Sequence, residues 1–143
     1  MSKLDKVLYT AKVHTTGGRS GRSRSSDGRL NVRLTRPGSA GKGTNPEQLF
    51  AAGWSACFES AMTLAARKMN ISVPDGLAVD AEIDLGPTEG AYGVAARLSV
   101  HLPGLDQETA ERLVEETHAV CPYSRATHGN IELTTTVILS AMQ

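Results

Sequence analysis

The chain has 143 residues and carries 15 Lys and Arg against 15 Asp and Glu, so its formal net charge is zero. A balanced charge argues against a general nucleic-acid binder, which needs a basic surplus to release counterions from phosphates. The charged start "MSKLDKVLY" and the shortness of every apolar run predict a soluble, cytoplasmic protein without a membrane partner.

The first third of the chain is predicted to hold two strands and long loops. Residues 7–15 and 30–34 alternate apolar and polar side chains, which is typical of half-buried strands, and we expect them to pair as a hairpin. The segment "TTGGRSGRSRSSDGR" is predicted to be a turn or an exposed loop. Its arginines Arg19, Arg22 and Arg24 form a solvated cluster, or the glycines let one of them fold inward to a site.

A long helix is predicted to begin near Pro46, because Asn45 is a good N-cap and Pro46 suits the first helical position. The expected end of this helix is at Asn70. Its apolar residues form two adjacent rows, one at positions 49, 53, 57 and 61 and the other at Phe50, Trp54, Phe58 and Met62. A helix without a strongly polar face is surrounded by protein, and one modest sheet covers only one side. We therefore expect a homodimer with helix 46–69 at its centre, unless the chain's second helix covers the other side.

The second half of the chain is predicted to add strands at 77–86 and 92–104, a helix over 106–120 and a strand at 131–139. Asp106 is the expected N-cap of that helix. The order of strands, long helix, strands, helix and strand predicts one α+β domain over residues 1–143.

The two cysteines are the first candidates for chemistry, and a reducing cytosol disfavours a static disulfide between them. Cys57 is either a buried core thiol or a nucleophile whose small neighbours let a substrate approach. Cys121 is either a core position or the N-cap of a short turn at Pro122, where a helix N-terminus favours a thiolate. Glu47 either interacts with the helix dipole or holds a loop arginine by a bidentate pair.

Several segments resemble the Ohr/OsmC family, and in particular its Ohr branch, the organic hydroperoxide resistance proteins. The segments are "TGGRSGR", "SSDGRLNVRL", "GTNPEQLFAAGWSACF", "LPGLD" and "VCPYSRATHGNIEL". They cover nearly the whole chain in matching order. The resemblance implies an OsmC-like α+β fold in an intertwined homodimer, with antiparallel sheets wrapped around central long helices.

The resemblance also implies a two-cysteine peroxidase that acts on organic hydroperoxides. Cys57 corresponds to its peroxidatic cysteine, Cys121 to its resolving cysteine, Arg19 to its active-site arginine and Glu47 to the glutamate that holds this arginine. The expected partners are an organic hydroperoxide and a dithiol reductant, typically a lipoylated protein, with no cofactor or metal. Candidates for an apolar wall beside the substrate are Phe50, Trp54, Phe58 and Met62.

The chain departs from the usual Ohr pattern at Ser20, Trp54 and Glu59, where an acid, a tyrosine and a small or apolar residue are common. Two other functions on the same fold stay open, a non-enzymatic thiol redox sensor and a metal-binding protein. A zinc site would draw on Cys57, Cys121, His118 and His128, of which His118 and Cys121 have a plausible ligand spacing.

Helix geometry adds a condition on the site. Glu47 and Cys57 are ten residues apart, which is about 15 Å along one helix. One arginine can hardly contact both residues within a single chain. We therefore expect Arg19 and Glu47 to reach Cys57 from the other subunit, or Arg19 to swing between them.

Overall fold

The computed structural model of the chain describes residues 3–140, which form six strands, three α-helices and one turn of 3-10 helix. The strands are β1 Val13–Thr16, β2 Arg22–Ser25, β3 Asn31–Arg33, β4 Ala78–Thr88, β5 Ala91–His101 and β6 Leu133–Ile138. The helices are α1 Pro46–Lys68, α2 Gln107–Val120 and α3 Pro122–Thr127.

The chain divides into two compact units, Met1–Pro46 and Glu47–Gln143, whose first two and last three residues lie outside the described part. The single domain expected over residues 1–143 therefore stays a prediction. The α+β class and the OsmC-like fold are confirmed. None of the helices within residues 3–140 is long and apolar enough to cross a membrane.

The first unit is an antiparallel sheet in the order β1-β2-β3. The predicted pairing of the first strand with residues 30–34 is wrong, because β2 forms inside the predicted loop and lies between them. The sequence of β2, "RSRS", alternates arginine with serine. It therefore lacks the alternation of apolar and polar side chains by which a strand is predicted. The inward residue Ser23 is buried and pairs its hydroxyl with Thr15 at 2.8 Å.

Helix α1 ends where the sequence predicts. Asn70 adopts a left-handed φ of 55°, and the N–H of Ile71 donates to the carbonyl of Ala66 at 2.9 Å. Asparagine tolerates this conformation, which stops the helix and satisfies a carbonyl of its last turn.

The second unit contains a sheet in the order β4-β5-β6. β4 and β5 form a long hairpin from Ala78 opposite His101 to Thr88 opposite Ala91. Its turn residues Glu89 and Gly90 both have positive φ, which suits the twist of a tight hairpin. β6 is the exception to the expected antiparallel pairing, since it joins β5 in parallel through the crossover of α2 and α3.

The core of the second unit joins α1, β5 and α2. Its largest fully buried side chains include Trp54, Phe58, Leu98 and Leu113. As predicted, Asp106 caps α2 by accepting the Thr109 N–H at 3.1 Å. Another face of α1 is exposed and made of small residues, at Ala52, Ala56, Ser60 and Thr63. The homodimer expected to cover this face stays a prediction.

Candidate active site

Cys57 and Cys121 lie side by side in the second unit although 64 residues separate them. Their Sγ atoms are 3.5 Å apart, and both are unbonded thiols. Cys57 is partly exposed in the middle of α1, whereas Cys121 is 0% exposed. The two sulfurs are therefore placed for direct reaction, with solvent reaching the helical one.

The turn that presents Cys121 follows from the proline after it. Pro122 disfavours a helical conformation at the preceding residue, and Cys121 is accordingly extended, with φ −72° and ψ 123°. Cys121 thus ends α2 and occupies the N-cap position of α3. Its burial in the core confirms the other interpretation of this residue as well. The kink points its side chain back toward α1, where it meets Cys57.

Buried hydrogen bonds tie this turn to the rest of the unit. The Trp54 indole N–H donates to the Ser124 hydroxyl at 3.1 Å, and the same hydroxyl lies 2.7 Å from Nδ1 of His118. Nε2 of His118 lies 2.9 Å from the hydroxyl of Thr135 in β6. Sequence reasoning missed Ser124, whose only signal was its place three residues after Cys121.

An aromatic side chain closes the turn over α1. Tyr123 lies against Phe50, with ring centroids 6.2 Å apart, and Phe50 stacks on Trp54 at 5.4 Å. Tyr123 crosses α1 at Gly53, where a Cβ would come within 3.1 Å of the tyrosine ring. The small residue beside Cys57 therefore admits this ring.

The surroundings of Cys57 raise the pKa of its thiol above the ordinary value. Burial is the largest cause, and the neighbouring Cys121 adds to it, while the backbone N–H of Tyr123 acts in the opposite direction. Desolvation disfavours a thiolate, and one hydrogen bond only partly offsets it. A cation beside Cys57 would favour its thiolate.

Comparison with known proteins identifies the family of the chain. The OsmC-like protein family matches residues 38–136. The organic hydroperoxide resistance protein of Xanthomonas axonopodis pv. citri is 44% identical over 141 residues, 96% of this chain and 99% of the relative. The chain belongs to the Ohr/OsmC family, in its Ohr branch.

Solved Ohr structures share the fold over almost their full length. The crystal structure of OhrB from Bacillus subtilis matches with a TM-score of 0.87 and 39% identity, over 92% of this chain and 100% of that one. An organic hydroperoxide resistance protein from Elizabethkingia anophelis, crystallised with thiocyanate bound, matches with a TM-score of 0.86 and 40% identity. The match covers 96% of this chain and 99% of that one.

The four candidates for an apolar wall beside the substrate differ in how deeply they are buried. Trp54, Phe58 and Met62 are 0% exposed and belong to the core, so they pack against protein in this chain. Phe50 is only partly buried and shares its surface with Tyr123. A role beside the substrate stays a prediction for all four residues.

Arg19 and Glu47, the other two residues that the Ohr resemblance implies, lie on different units. Arg19 is in the 3-10 turn Gly18–Ser20 between β1 and β2. Glu47 is in the first turn of α1, and the unbroken helix keeps it about 15 Å from the level of Cys57. Their place around Cys57 stays a prediction.

His118, one of the candidate zinc ligands, is hydrogen-bonded to protein groups. Both ring nitrogens of His118 face hydroxyl groups, those of Ser124 and Thr135. Within residues 3–140 the structure shows no group of three or more His, Cys, Asp or Glu side chains that could hold a metal ion.

Proposed function

We propose that this Ohr/OsmC protein is a cysteine-based peroxidase that reduces organic hydroperoxides to alcohols. The observation that carries the proposal is the 3.5 Å approach of the Cys57 and Cys121 sulfurs, one partly exposed and one buried. Relatives named as organic hydroperoxide resistance proteins, at 39–44% identity over most of the chain, supply the substrate class.

In the first step the Cys57 thiolate attacks the distal oxygen of the hydroperoxide. The O–O bond breaks, the alkoxide takes up a proton and leaves as the alcohol, and Cys57 becomes a sulfenic acid. Arg19, held by Glu47, supplies the cation that this thiolate needs and stabilises the charge on the departing oxygen. Because Glu47 and Cys57 lie far apart along α1, these two residues come from a second subunit.

In the second step Cys121 attacks the sulfenic sulfur of Cys57. The S–S bond forms, the S–O bond breaks and water leaves. Closing the pair from 3.5 Å to a bond of about 2 Å requires a movement of about 1.5 Å. A dithiol, such as a lipoylated protein in the cytoplasm, then reduces the disulfide by exchange.

The homodimer in this proposal is supported by apolar surface that the single chain leaves exposed. The N-terminal segment before β1 exposes large apolar side chains, at Leu4, Val7, Leu8 and Tyr9. The small-residue face of α1 is exposed as well. Exposed apolar side chains of this kind are typical of interaction sites, and a second copy of the chain is the proposed occupant of both surfaces.

Intact-mass analysis after addition of one equivalent of hydroperoxide tests the proposal. The wild-type protein should lose two hydrogens as the disulfide forms. Cys121→Ser should instead gain one oxygen, and Cys57→Ser should keep its mass. Reaction of Cys57→Ser at the wild-type rate would show that the roles of the cysteines are misassigned.

A further inference from the structure

A chain of hydrogen bonds joins both flanks of Cys121 to the helix that carries Cys57. It runs from the Trp54 indole to the Ser124 hydroxyl at 3.1 Å and from there to Nδ1 of His118 at 2.7 Å. It ends at Thr135 of β6, 2.9 Å from Nε2 of His118. These hydrogen bonds therefore link α1, α3, α2 and β6.

Three of the four residues lie about one helical turn along the sequence from one of the two cysteines. His118 lies three residues before Cys121 and Ser124 three residues after it, while Trp54 lies three residues before Cys57. Ser124 is 4% exposed and Trp54 is fully buried, so water competes little for these bonds. The contacts thus restrain the turn of Cys121 from both sides.

One placement of the protons gives every donor of these hydrogen bonds an acceptor. The Trp54 indole can only donate, so the Ser124 oxygen accepts from it, and the Ser124 hydrogen is available to Nδ1 of His118. In this tautomer Nδ1 carries no hydrogen, Nε2–H donates to Thr135, and the imidazole is neutral.

A second contact joins the imidazole to α1. The His118 ring packs on Phe58, the residue directly after Cys57, with centroids 4.7 Å apart. His118 therefore touches both the segment that holds Cys121 and the helix turn that holds Cys57.

We propose that His118 is a positioning residue for disulfide closure: as a neutral imidazole bonded to Ser124, it keeps the turn of Cys121 against Cys57. The inference rests on the proposed peroxidase function, since closure is the second step of that reaction. His118 does not contact the hydroperoxide in this scheme, so its loss should slow closure and spare the first step.

Protonation of His118 should loosen the arrangement. A hydrogen on Nδ1 would make the Ser124 oxygen accept from His118 as well as from Trp54, and the Ser124 hydrogen would lose its acceptor. From α1 and β6 the ring meets Phe58 and Thr135, which are uncharged. The charged and titratable side chains lining the two grooves beside the ring are Glu111, Glu115, Arg125 and His128.

Burial, together with the nearby His128, lowers the pKa of His118 below its ordinary value, which keeps the ring neutral at neutral pH. Closure should therefore be fastest at neutral pH and slow as the pH falls through the lowered pKa of His118.

A single-turnover experiment on the reduced full-length protein separates the two steps. One equivalent of tert-butyl hydroperoxide is added, samples are quenched with dimedone, and intact mass distinguishes dimedone-trapped sulfenic acid from disulfide over time. Ser124→Ala and His118→Phe should slow closure about tenfold, the effect of one buried hydrogen bond, and leave sulfenic acid formation within about twofold of wild type.

The conservative variant His118→Asn distinguishes positioning from bulk packing. Its amide oxygen can accept the Ser124 hydrogen where Nδ1 does, so closure should recover relative to His118→Phe. Asparagine does not titrate, so the ratio of its closure rate to that of wild type should rise as the pH falls.

His128→Phe is the matched control, because it makes the same substitution at an exposed histidine that lines the same groove. At neutral pH, where His118 is neutral in both proteins, it should leave both rates unchanged, and thermal melts verify that every variant is folded.

Normal closure in both Ser124→Ala and His118→Phe would overturn the inference and leave the proposed function intact. The inference would also be overturned if the closure rate of His118→Asn fell in parallel with the wild-type rate as the pH is lowered. This comparison tests the inference even if Ser124→Ala does not fold. Failure of wild-type Cys57 to form sulfenic acid would instead overturn the proposed function, and the inference with it.

Discussion

At the scale of single residues, the chemistry of Cys57 depends on which groups face its sulfur. Burial and the adjacent Cys121 raise the pKa of this thiol, while the Tyr123 N–H lowers it. A buried partner thiol is suited to disulfide closure, yet it makes the first thiolate harder to form. The proposed cation Arg19 would resolve this conflict.

Removing Cys121 should lower the pKa of Cys57, because the thiol neighbour raises it through a hydrogen bond and through charge. In Cys121→Ala the midpoint of iodoacetamide alkylation should move to lower pH, and alkylation at neutral pH should be faster. Cys121→Ser serves as the comparison: its hydroxyl can donate to the Cys57 thiolate, so the midpoint should move to lower pH at least as far. An unchanged midpoint in Cys121→Ala would contradict the assigned cause.

His118 should make stability depend on pH. Its folded-state pKa lies below the ordinary 6.5, so the unfolded chain binds more protons between the two values. The stabilisation is therefore fully present above pH 6.5 and is lost as the pH falls through the lowered pKa of His118. Urea unfolding at a series of pH values checks this, and His118→Asn should remove that part of the decline.

At the scale of elements, α1 has one face in the core and contacts the ring of Tyr123 at Gly53. Gly53 leaves room for the ring of Tyr123. In the row from Phe50 to Met62, Phe50 is partly buried and the other three side chains belong to the core. The same helix thereby supports the unit and shapes the entrance to Cys57.

Gly53→Ala should separate helix stability from site geometry. The new Cβ would come within 3.1 Å of Tyr123, whose ring is 43% exposed and can yield by a few tenths of an ångström. The better helix propensity of alanine, about 0.5–1 kcal/mol, should offset this strain, so the melting temperature should change little. Disulfide closure should nevertheless slow in single-turnover measurements, and closure at the wild-type rate would show that the position of Tyr123 is unimportant.

The same substitution at two points of α1 should distinguish core from substrate wall. Phe58→Ala removes a fully buried ring and should cost about 3–5 kcal/mol of unfolding free energy. Phe50→Ala, on the partly buried ring, should cost less and raise the KM for bulky aromatic hydroperoxides more than for small ones. Equal KM changes for small and bulky peroxides would remove Phe50 from the proposed wall.

At the scale of the whole molecule, the proposed active site needs two chains. Cys57 and Cys121 meet within one chain, whereas Arg19 and Glu47 are proposed to come from the partner. Both the exposed apolar N-terminal segment and the small-residue face of α1 are surfaces that a second copy would bury.

Mixing two inactive variants should restore activity if the site is shared. In a heterodimer of Cys57→Ser and Arg19→Ala chains, one site combines an intact Cys57 with the partner's intact arginine. Statistical exchange should therefore recover about a quarter of wild-type activity. If Arg19 acts within its own chain, both sites of the heterodimer stay defective and the mixture stays inactive; light scattering verifies the dimeric state.

Local interactions explain what could be predicted from the sequence. The stop at Asn70, the Asp106 cap and the turn at Cys121 each depend on residues within a few positions, and all three were confirmed. Strand β2 was missed because its arginine and serine alternation carries no apolar period. The pairing of Cys57 with Cys121 was implied by the resemblance to Ohr proteins and by no local pattern.

Only the tertiary structure determined how groups distant along the chain act on one another. It alone sets the 3.5 Å approach of the sulfurs, the passage of Tyr123 over Gly53 and the bonds of Ser124 to Trp54 and His118. It also raises the pKa of Cys57 within a single chain, because desolvation depends on packing. The sequence by itself determined most of the elements, the family and the reactive residue types, since these follow from short-range chemistry and motif order.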